Sequence, residues 1–119
     1  MQGTTRRRPQ AATTGPVIHA VVWIEPGRAL VARRTAGVAD AVVETLELAP
    51  GPVGLADVAH RVGKADHVLV LGSDDLRLAL EREIVAIGHH PEQIREEHTP
   101  GPIDPDALLA RLDRLAPPR

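Results

Sequence analysis

The apolar positions in the first half of the chain form short runs separated by turn residues. The run from Val17 to Ile24 is almost entirely β-prone, which predicts a strand buried on both faces. Pro26-Gly27 favours a tight turn, and residues 28–34 then predict a second strand that pairs with the first as a hairpin. Residues 40–48 fit a helix or a strand by periodicity alone, and their β-branched side chains favour a third antiparallel strand.

The second half of the chain alternates helical and extended patterns. Its clearest helix start is Asp104-Pro105-Asp106, which has an N-cap, a proline at the first position and an acid in the first turn. In order, these patterns predict a helix carrying Leu55, Val58, Ala59 and Val62, a strand over 67–71, a helix carrying Leu76, Leu80, Ile84 and Ile87, an edge strand over 93–98, and a helix carrying Leu108, Leu112 and Leu115.

The predicted order of elements is therefore β-β-β-α-β-α-β-α. Three antiparallel strands come first, and right-handed crossovers then add parallel strands with helices on both faces. This order indicates an α/β fold, a three-layer mixed β-sheet of the ribonuclease-H-like kind. We predict a single domain over 17–115, a disordered basic tail over 1–16, where large apolar side chains are almost absent, and a frayed C-terminus over 116–119.

The composition excludes several classes of function. The chain has no cysteine, so disulfides, thiol nucleophiles and thiolate metal sites are excluded. Trp23 is the only aromatic residue of the Phe, Tyr and Trp set, which weakens any model of nucleic-acid binding by base stacking. The formal charge of −2 argues against a nucleic-acid binder that relies on a domain of overall positive charge. Because no apolar run approaches about 20 residues, we expect a cytoplasmic protein without a membrane partner.

The first predicted strand carries a recognisable motif. Residues 19–24, His-Ala-Val-Val-Trp-Ile, resemble the opening strand of a family of small bacterial "translational machinery proteins". That family resembles the middle domain of archaeal and eukaryotic peptide-chain release factors and of Pelota. Residues 68–73, an apolar strand that runs into a glycine and a helix, match a second landmark of the family, and 93–115 fit a third loosely. The resemblance covers roughly 17–115 and implies a role at the ribosome.

The chain departs from the release-factor pattern at one loop. In release factors, a Gly-Gly-Gln loop that reaches the peptidyl-transferase centre is inserted after the early strands. Here the corresponding connection is only about residues 49–54, and no Gly-Gly pair occurs in the chain. The resemblance therefore implies a non-catalytic binding module that contacts the ribosome or its RNA without hydrolysing peptidyl-tRNA.

Arginines supply the candidate contacts to RNA phosphates. Six of them are clustered along the chain, in the tail at Arg6, Arg7 and Arg8 and on the predicted hairpin at Arg28, Arg33 and Arg34. In this interpretation the hairpin presents its three arginines on one rim, and cross-strand solvation of the same side chains is an equal alternative. Two other interpretations stay open, a tail that merely increases solubility and hairpin arginines that pair with Glu44 or Glu47.

Two other classes of function are also compatible with the sequence. A metal-dependent nuclease of the ribonuclease-H-like type would use Glu25, Asp74 and Asp75, provided that the strands before them are parallel neighbours. Capping of the following helix by Ser73 and the two aspartates, with Glu25 solvated, accounts for the same residues. A homodimer formed through an exposed sheet edge is the other alternative.

The histidines give no pattern typical of a metal centre. His89, His90 and His98, with Glu96 and Glu97, lack a recognised ligand spacing, and the adjacent pair suits the C-terminal end of a helix. We expect His19 and His60 to be partly buried and hydrogen-bonded, while His67 has no evident partner. The sequence predicts no metal and no cofactor.

Overall fold

The computed structural model describes residues 17–38, 40–63, 65–88, 91–98 and 103–115. The strands within these ranges are β1 (Ile18–Glu25), β2 (Arg28–Thr35), β3 (Val42–Glu47), β4 (His67–Gly72) and β5 (Ile94–His98), and the helices are α1 (Pro52–Val62), α2 (Asp74–Ala86) and α3 (Pro105–Leu115). Their order along the chain confirms the predicted one. The predicted tail and the C-terminal residues 116–119 lie outside the described ranges.

The five strands form one mixed sheet in the order β3-β2-β1-β4-β5. β1 pairs antiparallel with β2, and β2 with β3, whereas β4 runs parallel to β1 and β5 parallel to β4. The ambiguous segment 40–48 is therefore a strand. Gly27 closes the first hairpin with a φ of 86°, a left-handed conformation that glycine adopts without steric cost.

β1 lies at the centre of the sheet because both of its faces are apolar. Ala20, Val22 and Ile24 pack with buried residues of α1 and α2 on one face. Val21 and Trp23 pack with Leu108 and Leu112 of α3 on the other face. Alternate side chains of a strand project to opposite faces, so a continuous apolar run is what a central strand between two helical layers requires. The three-layer α/β fold is thus confirmed.

The two predicted helix starts differ in their capping. The Oδ1 atom of Asp104 accepts a hydrogen bond of 2.8 Å from the backbone N–H of Ala107, which is the N-cap expected for α3. Ser73 occupies the N-cap position of α2 in an extended conformation, but its side chain makes no capping hydrogen bond. The side-chain capping predicted for Ser73 is therefore not observed.

No helix within the described ranges is both long enough and apolar enough to cross a membrane.

Candidate functional site

The carboxylates that a nuclease would use follow two neighbouring strands. β1 and β4 are parallel, with Ile24 opposite Gly72, so Glu25 and the start of α2 at Asp74 and Asp75 lie at the same edge of the sheet. The Oε2 atom of Glu25 is paired with the Nε atom of Arg28 at 3.2 Å, so Glu25 is not simply solvated. The Asp74 side chain is outside the described part of the structure.

Metal-ligating side chains do not converge in the described ranges. No group of three or more histidine, aspartate or glutamate side chains there is arranged to hold a metal ion. Glu96 and Glu97 project to opposite faces of β5, where Glu96 lies 3.6 Å from Arg77 and Glu97 contacts Arg111. His89, His90 and the His98 side chain lie outside the described residues. The nuclease alternative stays a hypothesis that an activity assay tests.

The hairpin arginines are separated, and each one has a carboxylate partner. Arg28 lies at the turn, where its guanidinium carbon is 5.3 Å from the Trp23 ring centroid. Arg33 and Arg34 are at the other end of β2 and, as consecutive strand residues, project to opposite faces. The expectation that all three share one rim is therefore wrong.

The two arginines at the end of β2 differ in exposure. Arg33 is 36 % exposed and pairs with Glu44 at 3.2 Å, so the pairing that we considered as an alternative is observed. Arg34 is only 8 % exposed and pairs with Asp113 of α3 at 2.6 Å. Glu44 also accepts a contact of 3.3 Å from Arg61 of α1, so one carboxylate is shared by two arginines on that face. Arg6, Arg7 and Arg8 lie outside the described residues.

A pair of histidines forms a site that we did not expect from the sequence. His19 of β1 lies opposite His67 of β4 in the parallel register. Their rings are stacked with 5.2 Å between centroids and an interplanar angle of 20°. The Nδ1 atom of His19 is buried and has no hydrogen-bond partner among the described residues, contrary to the expected hydrogen-bonded histidine. His60, which we expected to be partly buried, is exposed on α1.

The histidine pair lines a cavity of about 300 Å³ at the amino ends of the parallel strands. The other lining residues are Val68, Glu92, Gln93, Arg95 and Leu115. Burial lowers the pKa of His19, and the neighbouring His67 adds to this effect, while Asp66 acts against it. The signal for this site was present in the sequence, because each histidine lies near the start of a strand that is otherwise apolar.

A second cavity, of about 470 Å³, lies at the opposite end of the parallel strands, where β1 and β4 terminate. Its walls are mostly apolar and come from the β1–β2 turn, the β3–α1 connection and the first turns of α1 and α2. The lining residues are Pro26, Gly27, Leu48, Ala49, Pro50, Gly51, Leu55 and Leu76.

The described residues form an α/β domain with short connections between its elements. The described structure is similar to part of Pelota from Archaeoglobus fulgidus, with a TM-score of 0.61 and 9 % sequence identity over 87 % of this chain and 33 % of Pelota. It is also similar to an archaeal protein, with a TM-score of 0.50 and 15 % identity over 82 % of this chain and 33 % of that protein.

These similarities concern the fold. This chain spans about a third of the length of either protein, and both identities are low. No protein-family model matches the chain, and no curated protein matches it significantly. At the level of fold, the similarity to Pelota supports the resemblance that the first strand suggested.

Proposed function

We propose that this chain is a translation-associated binding module that contacts the ribosome or its RNA in the cytoplasm. The observation that carries this proposal is the similarity of fold to part of Pelota over 87 % of the chain. The sequence motif of residues 19–24 is a second line of support for the proposal. This motif lies on β1, the central strand of the sheet.

The β3–α1 connection supports a role without peptidyl-tRNA hydrolysis. β3 ends at Glu47 and α1 begins at Pro52, so only residues 48–51 join them. A connection of this length folds against the domain and lines the apolar cavity with Leu48 and Gly51. It holds no glutamine and no Gly-Gly pair, the residues on which the release-factor reaction depends.

The described arginines differ in how well they suit contacts to phosphates. Arg28 is 43 % exposed and stacks on Trp23, which orders a guanidinium that can still reach an external phosphate. Arg33 is also accessible, although Glu44 offsets its charge. Arg34 is buried against α3, so its primary contribution is to the fold. The proposed contacts are therefore made by Arg28, Arg33 and the tail arginines.

Co-sedimentation of the purified chain with purified ribosomes tests the proposal. We expect the chain to pellet with ribosomes at low salt and to be released progressively as the salt concentration rises, because phosphate contacts release counterions. An unrelated acidic protein of similar size is the control. Pelleting no greater than that of the control at every salt concentration would contradict the proposal.

A nuclease assay tests the main alternative directly. The chain is incubated with RNA and Mn²⁺, alongside the double variant Asp74→Asn/Asp75→Asn. We expect no cleavage above background by either protein. Cleavage by the native chain that the double variant lacks would replace the binding proposal with a hydrolytic one.

A further inference from the structure

A row of polar side chains crosses the sheet on the face that α3 covers. Arg34, His19 and His67 lie side by side on β2, β1 and β4, in register at the amino ends of the parallel strands. The same face is otherwise built from buried apolar side chains such as Val21, Trp23 and Leu71. A polar row at the border of an apolar layer is costly to bury unless its groups find partners.

The cavity beside this row has hydrogen-bond donors on one side and apolar walls on the other. Its potential donors are the imidazoles of His19 and His67 and the guanidinium of Arg95, and its apolar wall is formed by Val68 and Leu115. A small number of polar groups set in an apolar wall is typical of small-ligand sites. The Nδ1 atom of His19 is buried and has no partner in the described ranges, so the imidazole is a polar group held at the border of the apolar layer.

Among the described residues, Arg95 differs from the other charged groups near the cavity because no ion-pair contact holds its guanidinium. Asp66 accepts a hydrogen bond of 2.8 Å from the backbone N–H of Ile18. Arg34 is paired with Asp113 of α3. Arg95, in contrast, makes no ion pair with any described residue, although Glu92 lines the same cavity.

We propose that this cavity binds a phosphate group through His19, His67 and Arg95. Three donor residues suit the several oxygens of a tetrahedral phosphate better than the two oxygens of a carboxylate, and an arginine can bind phosphate through two parallel hydrogen bonds. The inference goes beyond the proposed function, because it concerns a defined site that can be measured on the isolated chain without ribosomes.

Binding of an anion at this site is linked to protonation of His19. Two imidazoles that are stacked at 5.2 Å repel each other when both are charged, and an anion bound beside the pair offsets that repulsion. The other charged groups that face the pair are Asp66, Glu92, Arg95 and the Arg34–Asp113 ion pair. A bound dianion opposes the burial and the repulsion by His67 that lower the pKa of His19, so affinity for a dianion of constant charge rises as the pH falls from 8 to 6.

The phosphate could belong to a small molecule or to an RNA backbone, and two probes distinguish these sources. One is inorganic phosphate and the other is a short single-stranded RNA without free phosphate at its ends. Binding of inorganic phosphate alone indicates a small-molecule source. Binding of RNA that inorganic phosphate displaces indicates the backbone. Either result supports the proposal. RNA binding that inorganic phosphate does not displace overturns it, and so does the absence of binding by both probes.

NMR of the histidine imidazole protons measures binding at the site itself. We expect saturable shifts of the His19 and His67 signals on titration with inorganic phosphate at pH 6.5, and tighter binding of sulfate at pH 6 than at pH 8. His67→Ala and Arg95→Gln are each expected to weaken phosphate binding by about tenfold or more. His60→Ala and Arg82→Gln replace exposed residues outside the cavity and serve as matched controls.

Three results would overturn the assignment. The first is the absence of saturable histidine shifts with either phosphate or sulfate. The second is an equal loss of binding in the control variants, which would indicate nonspecific attraction to positive charge. The third is acetate binding as tightly as phosphate, which would contradict the choice of a tetrahedral anion. Since both cavity variants replace exposed side chains, their melting temperatures should stay close to that of the native chain.

Discussion

Arg34 of β2 and Asp113 of α3 form an ion pair in which 2.6 Å separates Nη1 from Oδ1. The two residues are 79 positions apart in the sequence, and their contact ties the last helix to the face of the sheet. The arginine is almost fully buried, whereas the aspartate side chain is 47 % exposed. The pair therefore holds a buried cation at the border of the apolar layer under α3.

Replacing Asp113 with asparagine should destabilise the fold by about 1–2 kcal/mol, because the buried guanidinium loses its charged partner. The exposure of Asp113 keeps the loss below that of a fully buried pair. Urea unfolding measures the effect. Asp57→Asn, which weakens a longer and exposed contact on α1, is the matched control and should change stability by less than about 0.5 kcal/mol. Equal effects of the two substitutions would contradict this role of the pair.

The contribution of Glu81 on α2 to stability should fall with rising pH. Burial raises the pKa of this carboxyl from 4.5 to about 7, and the neighbouring Glu96 adds to the shift, while Arg77 opposes it. A carboxyl that holds its proton more tightly when folded stabilises the protein below pH 4.5, and this contribution is lost as the pH rises towards 7. Glu81→Gln should therefore be about 1–2 kcal/mol more stable than the native chain at pH 8 and similar to it at pH 4.

Urea unfolding of both proteins at several pH values between 4 and 8 measures the difference. Glu83→Gln, on the same helix, is the control and should follow the pH dependence of the native chain. If Glu81→Gln retained that dependence unchanged, the Glu81 carboxyl would not be its source.

A side chain at position 72 should be poorly tolerated. Gly72 ends β4 with a φ of 135°, and a Cβ atom there would lie 2.4 Å from the carbonyl oxygen of Ile24. Both the backbone conformation and the close approach disfavour alanine, so Gly72→Ala should cost about 2–4 kcal/mol. Gly88 is a suitable control, because it also has a positive φ of 116° but a Cβ there would meet nothing within 4 Å. Gly88→Ala should cost about 1 kcal/mol, and thermal unfolding compares the two.

The exposed hairpin arginine should contribute to binding through a phosphate contact. If Arg28 makes one such contact on the ribosome, Arg28→Ala should reduce the slope of log K against log salt by about 0.7–0.9. Arg82→Ala, an exposed arginine on α2, should leave the slope unchanged. Salt-dependent co-sedimentation measures this slope for both variants. Equal slopes for Arg28→Ala and the native chain would show that Arg28 makes no phosphate contact in the proposed interface.

The order of elements was predictable because it depends on local patterns. The run at 17–24 has no polar face, so it could only be a central strand, and Asp104-Pro105 marks the start of α3 at the position observed. The segment 40–48 illustrates the limit of such patterns. Periodicity fits both a helix and a strand there, and pairing with β2 decides for the strand.

Side-chain partners were less predictable, since they depend on the order of strands in the sheet. Arg33 and Arg34 could have been assigned to opposite faces from the alternation of a strand, but the partner of Arg34 is on a helix 79 residues later. His19 and His67 come together only because β4 adds to the β1 edge of the hairpin in parallel register. Once that strand order is known, two histidines near the starts of apolar strands become neighbours.

Fractionation of a native lysate on a sucrose gradient tests the central claim most directly. The chain is followed across free protein, ribosomal subunits and intact ribosomes, with and without a high-salt wash. We expect it to migrate with ribosomal particles at low salt and to return to the free-protein fractions after the wash. Migration entirely with free protein at low salt, under conditions in which known ribosome-bound factors remain attached, would contradict the account.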